Sequence, residues 1–250
     1  MNRKINININ FFVLSVFIFT TICGYCQNYE LAKSKNDKEI INHFAYSLSY
    51  SEQDEQPYWV AYKLKSENLG DGVDRSNKFI PDPLVKTGSA NNNDYKKSGY
   101  DRGHLAPAAD MKWSPIAMKE CFYYSNMSPQ VPSFNRGIWK KLEEKVRVWA
   151  KEKGILYIAT GPILTGSLPT IGPNKVSVPK YYYKAILYYN GVQSKAIGFL
   201  LQNEGSDSSI INFAITIDKL EIATGLDFFY NLPDNIESSI ESKLDLSYWK

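Results

Sequence analysis

Five short segments rich in aromatic and aliphatic side chains bracket one long amphipathic stretch, and that succession restricts the chain to a mixed fold in which helices cover a sheet. The strand-like segments are residues 44–50 (FAYSLSY), 58–64 (YWVAYKL), 154–160 (GILYIAT), 180–189 (KYYYKAILYY) and 195–201 (KAIGFLL). Asp54, Glu55, Gln56 and Pro57 separate the first two as a turn would. Between the second and third segments, Asn135 opens a helical pattern in which Trp139, Leu142, Val146 and Trp149 form one apolar stripe that must be covered. Aromatic residues make up 14% of the 250, which leaves disordered, collagen-like and coiled-coil classes without support. Shorter helices are expected near residues 116–122 and 218–224, the latter from the capping-box spacing of Asp218 and Glu221 and a stop at Gly225. Residues 70–99 are polar and broken by Gly, Pro and Asn, so they read as a loop of the kind that carries function. No repeat or linker divides the chain beyond its N-terminal segment. The expectation is one α+β domain with a central, mainly antiparallel sheet flanked by helices.

The first residues have a different character. Arg3 and Lys4 precede the apolar run FFVLSVFIFTTI at 11–22, the charged start and short apolar middle of an export signal, too short for a membrane span. Residues 1–26 are therefore read as a signal peptide and 27–250 as the mature domain, periplasmic or extracellular, with no stable membrane span after cleavage. Neither Cys23 nor Cys26 follows the small residue expected before a lipid-modified cysteine. Loss of Arg3 and Lys4 takes the formal charge from +3 to about +1, so a polyanion would have to be held by a local patch. Cys121 alone would remain, which excludes an intrachain disulfide and the usual cysteine-based zinc sites.

Imidazole-dependent chemistry has two candidates, His43 and His104. His43, beside Phe44 and Tyr46, reads as a residue that packs or edges a strand. His104 closes the run Asp101, Arg102, Gly103, His104, where a glycine that permits a tight backbone sits between an arginine suited to phosphate oxygens and a proton acceptor. Asn135 lies on the covered side of the amphipathic helix, which suits a helix cap or, alternatively, an amide oxygen ligand for a hard cation such as magnesium. Glu143, two turns on, is near enough around the helix to hold one of that ion's waters; on helix chemistry alone it is a solvated charge. Lys140, Lys141, Lys145, Arg147, Lys151 and Lys153 read as an ordinary solvated face, with an electrostatic track as the alternative. For Tyr181, Tyr182 and Tyr183, strand packing is favoured over stacking on bases.

The runs YDRGHLAPAADM, YYSNMSPQ and FNRGIWKKLEEKVR, together with RSNKFIPD upstream and TIDKLEIATGLDFF downstream, resemble the DNA/RNA non-specific endonuclease family. The resemblance covers most of residues 43–232 and implies a ββα-metal active site. It further implies His104 as general base, Asn135 as direct metal ligand, Glu143 as the residue placing metal-bound water, and Arg75 and Arg102 as phosphate-holding groups. Asn126 would orient His104 or phosphate, and Asp101 would be structural. The implied activity is metal-dependent hydrolysis of DNA and RNA with one Mg2+ per site, Mn2+ as an alternative ion, and 5′-phosphate ends. A homodimer is left open. Two other readings are an exported phosphodiesterase for small nucleotides or other diesters, and a module that binds nucleic acid without cutting it.

Overall fold

The aromatic-rich segments become the long strands of one sheet. The computed structural model describes residues 28–34 and 40–250, so the segment read as a signal peptide, 1–26, lies outside the described residues. In chain order the strands are β1 (Ala32–Lys33), β2 (Ile40–Asn42), β3 (Ser47–Ser51), β4 (Gln56–Lys65), β5 (Asp101–His104), β6 (Met127–Gln130), β7 (Ile155–Pro162), β8 (Thr170–Ile171), β9 (Val176–Ser177), β10 (Tyr181–Tyr188), β11 (Lys195–Gln202), β12 (Ala214–Ile215) and β13 (Asp227–Phe228). The helices are α1 (Asn92–Tyr95), α2 (Pro115–Glu120), α3 (Lys140–Lys153), α4 (Ile217–Thr224) and α5 (Asp234–Glu241). Seven strands form an antiparallel sheet in the order β12-β11-β10-β7-β4-β3-β2. No helix among the described residues is long and apolar enough to cross a membrane.

Both faces of the sheet are covered, which explains why its strands read as nearly continuous apolar runs. Alternation along β4 sends Val60, Tyr62 and Leu64 to one face and Trp59 and Ala61 to the other. The first face packs on Leu142, Val146 and Trp149 of α3. The second packs on Ile217 and Leu220 of α4 and Ile240 of α5. Tyr182 and Tyr183 are both fully buried in this packing, as strand residues should be, while Tyr181 is partly exposed.

Two helix starts differ from expectation. Helix α4 begins one residue earlier, and its cap is Thr216, whose side chain accepts the Lys219 N–H at 3.3 Å. Asp218 and Glu221 therefore do not form a capping box; Glu221 instead accepts the Phe228 N–H at 2.8 Å. Helix α3 begins at Lys140, because residues Phe134–Trp139 form a wide turn in which Gly137 leaves helical backbone (φ −105°, ψ −111°). That turn takes Asn135 out of the capping position. The stripe itself is as the spacing predicts, with Trp139, Leu142, Val146 and Trp149 all buried. The side chain of His43 is also buried, and its Nε2 meets Asp82 Oδ2 at 2.8 Å. Burial alone would raise the Asp82 carboxyl, but hydrogen bonds from His43 and Ser125 outweigh it and hold Asp82 below its ordinary value.

Trp149 lies between Phe199, with ring centroids 6.2 Å apart, and Trp249, edge-on at 5.1 Å. It fastens the helix to the sheet and to the C-terminal segment together. Trp149→Ala is expected to cost about 3–5 kcal/mol in unfolding free energy, by loss of buried area and opening of a cavity. Urea denaturation of the two proteins measures this, and a loss under about 1 kcal/mol would show that the helix is anchored elsewhere.

Candidate active site

Strands β5 and β6 form a ribbon with Asp101 opposite Gln130 and His104 opposite Met127. The chain then turns through residues 134–139 into α3, so two strands and one helix build a single locus. Gly103 suits the ribbon because a Cβ there would collide with the buried side chain of Gln130. The chain just beyond His104 is pinned by Asn126, whose Oδ1 accepts the Ala106 N–H at 2.9 Å. Its Nδ2 donates to the carbonyls of Ala106 and Cys121 at 3.0 and 2.8 Å. Asn126 is fully buried, so of its two expected roles the structure favours orienting His104 over meeting the phosphate. Its carbonyl oxygen and amide nitrogen are spent on backbone, which fixes the segment carrying His104.

His104 stands edge-on to Phe122, with ring centroids 4.7 Å apart, and tilted to Phe79 at 5.7 Å. Arg75 lies over Phe122 at 4.9 Å and Arg102 over Phe79 at 4.0 Å. The Nε of Arg75 donates to Asn77 at 2.8 Å and Arg102 donates to Asn92 at 3.1 Å. Two aromatic rings thus space two guanidinium groups around one imidazole. Burial, reinforced by the charges of Arg75 and Arg102, pushes His104 down from its usual range to about 3. The ring is therefore neutral at physiological pH. Its Nε2 is enclosed without a hydrogen-bond partner, so exchange of a proton with water has to use Nδ1, and the useful tautomer keeps its hydrogen on Nε2.

Asn135 donates through Nδ2 to Asp101 Oδ2 at 2.8 Å. A carboxylate only accepts, so this contact settles which way the amide points and leaves its carbonyl oxygen as the available donor to a cation. Arg136 grips the same carboxylate with two hydrogen bonds of 2.8 and 2.6 Å. Burial acts to raise Asp101, yet the bonds from Arg136 and Asn135 hold it below the usual carboxylate range. Asp101 is structural in this sense: it ties Asn135 to the strand that bears His104.

Glu143 and Arg147 are not the solvated charges that helix chemistry alone suggests. Both are partly buried, above a group of charges under α3. Arg147 meets Asp110 at 2.9 Å, and Asp110 also accepts the Tyr62 hydroxyl at 2.9 Å. Lys184 on β10 is fully buried. It donates to the Thr160 hydroxyl at 3.1 Å and lies 4.8 Å from the centre of the Trp139 ring. Burial pushes Glu143 up and Lys184 down, and each charge opposes the shift of the other. The field of Arg75 also reaches Glu143, which places the carboxylate in the same locus as the His104 group. An amide oxygen and a carboxylate, with water access, suit a hard cation that keeps part of its hydration shell. Phe122, Asp110, Tyr62 and Lys184 were not singled out by motif. The available signal was Lys184, a lone charge within an otherwise apolar and aromatic strand.

Residues 28–235 match the family model described as DNA/RNA non-specific endonuclease. The chain belongs to that family. It is 37% identical over 218 residues to "Nuclease C1" of Cunninghamella echinulata var. echinulata, covering 78% of this chain and 84% of the relative. It is 36% identical over 209 residues to mitochondrial endonuclease G of Bos taurus, covering 78% and 70%. Among solved structures, the crystal structure of the EndoG/EndoGI complex matches with a TM-score of 0.73 and 33% identity, over 78% of this chain and 87% of that one. The enzyme is thus a nuclease that hydrolyses phosphodiesters of DNA and RNA, and its mixed fold around an antiparallel sheet is that of the endonuclease G relatives.

This geometry sets two measurable outcomes. Asp101→Ala frees the Asn135 amide, and the divalent-ion concentration for half-maximal cleavage should rise roughly ten-fold, the low end of what losing an orienting partner costs; an unchanged metal titration would show that Asp101 serves only Arg136. The depressed His104 keeps the imidazole neutral well into mild acid, because protonation must wait until pH falls through its own lowered value. The acid limb of kcat/KM attributable to this group should lie below the ordinary imidazole value of about 6.5, as a pH-rate profile compared with that of the His104→Ala enzyme would reveal.

Proposed function

We propose that the protein is an exported endonuclease that cuts DNA and RNA without regard to sugar, with His104 as general base and one divalent cation, Mg2+, held by Asn135. The observation that carries the reading is the neutral, enclosed imidazole of His104 between Arg75 and Arg102, tied through Asp101 to the amide of Asn135. Export rests on the charged and apolar N-terminal pattern alone.

His104 Nδ1 takes a proton from a water molecule as that water's oxygen forms a bond to phosphorus. The bond from phosphorus to the 3′ oxygen breaks, leaving a 5′-phosphate on one fragment and a 3′-hydroxyl on the other once the departing oxygen is protonated from solvent. Arg75 and Arg102 face the added charge on the phosphorus oxygens, and their guanidinium groups are already fixed by the Phe122 and Phe79 rings, so little reorganisation accompanies the step. Asn135 and Glu143 are the residues that would hold the cation and its water shell; when bound, the ion supplies Lewis-acid stabilisation of the phosphate and the departing oxygen. Asn126 is a positioning residue that acts through the backbone next to His104. Because the groups named contact phosphate and water rather than base edges, cleavage should be indifferent to sequence.

A supercoiled plasmid and a structured RNA, each incubated with the mature protein and Mg2+, should both be degraded, and a chelator should stop both reactions. His104→Ala should lower turnover by at least about 100-fold, the scale of a general base, while retaining fold and substrate binding. Near-normal nicking by that variant at saturating Mg2+ would reject the assignment, and cleavage confined to a chromogenic small diester would favour a small-nucleotide phosphodiesterase.

A further inference from the structure

The face of the sheet opposite α3 carries a second concentration of carboxylates that the cleavage reaction does not use. Asp218 and Glu221 lie three residues apart on α4 and so share one side of that helix. Glu241 ends α5. One carboxylate oxygen from each of the three lies within 4.8 Å of the others. Asp218 is exposed and Glu221 half-buried, while Glu241 is 8% exposed, with Oε1 enclosed and without a hydrogen-bond partner. An enclosed carboxylate oxygen with nothing to accept from is costly and calls for a counter-charge. Among the described residues, the charges that act most strongly on Glu241 are Glu221, Glu237, Asp218 and Asp227, all negative.

We propose that Asp218, Glu221 and Glu241 bind a calcium ion that fastens α5 to α4, separate from the catalytic cation. Glu221 already has Oε1 engaged with the Phe228 N–H at 2.8 Å, which holds its side chain in place and leaves the other oxygen for the ion. Glu241 contributes from the enclosed side and Asp218 from the solvent side, where water completes the shell. All donors are hard oxygens from flexible carboxylates, without nitrogen or sulfur, which suits calcium's larger and more tolerant coordination sphere. The role is structural. Helices α4 and α5 pack on Ala61, Ala185 and Ala196 of the sheet, whereas the catalytic helix lies on the other face. The ion would therefore stabilise the C-terminal layer without touching the reacting phosphate.

Calcium titration followed by isothermal calorimetry and by thermal unfolding tests the proposal on the mature protein. The Asn135→Ala protein, disabled at the catalytic cation site, should still bind Ca2+ and should gain Tm as Ca2+ is raised, by mass action on the folded state. In the same background Glu241→Gln and Asp218→Asn should each weaken Ca2+ binding by roughly ten-fold or more and abolish the Tm gain, since each removes a charged ligand. Without calcium, Glu241→Gln should be at least as stable as its parent, because it relieves repulsion. If Glu241→Gln does not fold, the exposed Asp218→Asn supplies the same readout. Absence of Ca2+ binding in the Asn135→Ala protein, or an unchanged calcium response in the variants, would overturn the site. Plasmid cleavage with Mg2+ by the Asp218→Asn protein in an otherwise unaltered chain should match that of the parent, so failure here is distinguishable from failure of the cleavage mechanism.

Discussion

Charges removed from water beneath α3 have to neutralise one another, and the position of that helix depends on how they do so. Bringing an isolated ion into a protein interior costs several kcal/mol even after relaxation. Asp110 is met by Arg147 and by the Tyr62 hydroxyl, and Lys184 by the Thr160 hydroxyl and the Trp139 ring. Arg147 comes from the helix, Asp110 from the segment after β5, and Tyr62 and Lys184 from the sheet. A rotation of α3 about its axis would break the pair with Asp110 and strand a buried charge. The apolar stripe of Leu142, Val146 and Trp149 holds the helix against the sheet; the charges set its register, and with it the direction of Glu143.

The same economy operates on the other side of the site. An imidazole beside two arginines is a poor place for a proton, so His104 stays neutral, as the proposed general base must be. In the proposed mechanism this arrangement is useful because the guanidinium groups that suppress protonation of the resting base would also receive the phosphate, whose negative charge would then ease protonation of the histidine as the water attacks phosphorus. Phe79 and Phe122 keep these cations spaced at ring-stacking distance without neutralising them.

Much of this was legible in the residues, and the parts that were not have a common cause. Local periodicity fixes which side of a strand or helix is covered, so β4, β7, β10, β11 and the α3 stripe fall where alternation and helical spacing put them. The candidate site residues stand out because DRGH, the NMSPQ run and the FNRGIWKKLEEK helix are short, ordered motifs with a family resemblance. Pairing between distant segments stayed hidden. Arg147 looks like one more basic residue on a solvated helix until Asp110 is brought against it, and Glu143 looks solvated until Lys184 arrives from β10. Asn135 fits a helix cap by residue type, yet the Gly137 break moves the helix start past it. The spacing of Asp218 and Glu221 matches a capping box equally well, but Thr216 has the backbone position and a hydroxyl to fill it.

Because Thr216 serves the start of α4, neither Asp218 nor Glu221 is needed there, and Glu221 can reach the backbone of β13 instead. Its remaining oxygen is then held beside Asp218 and the buried end of Glu241, where no pairing like that of Arg147 and Lys184 beneath α3 occurs among the described residues. On the catalytic face, negative charge is balanced by side chains of the chain itself, which preserves a fixed geometry for the reaction. At the Asp218, Glu221 and Glu241 cluster of the opposite face the balance is left, in our proposal, to an ion from solution. That face therefore answers to its surroundings in a way the catalytic face does not, and the stability of the C-terminal layer becomes a function of cation supply while the reacting groups stay in place.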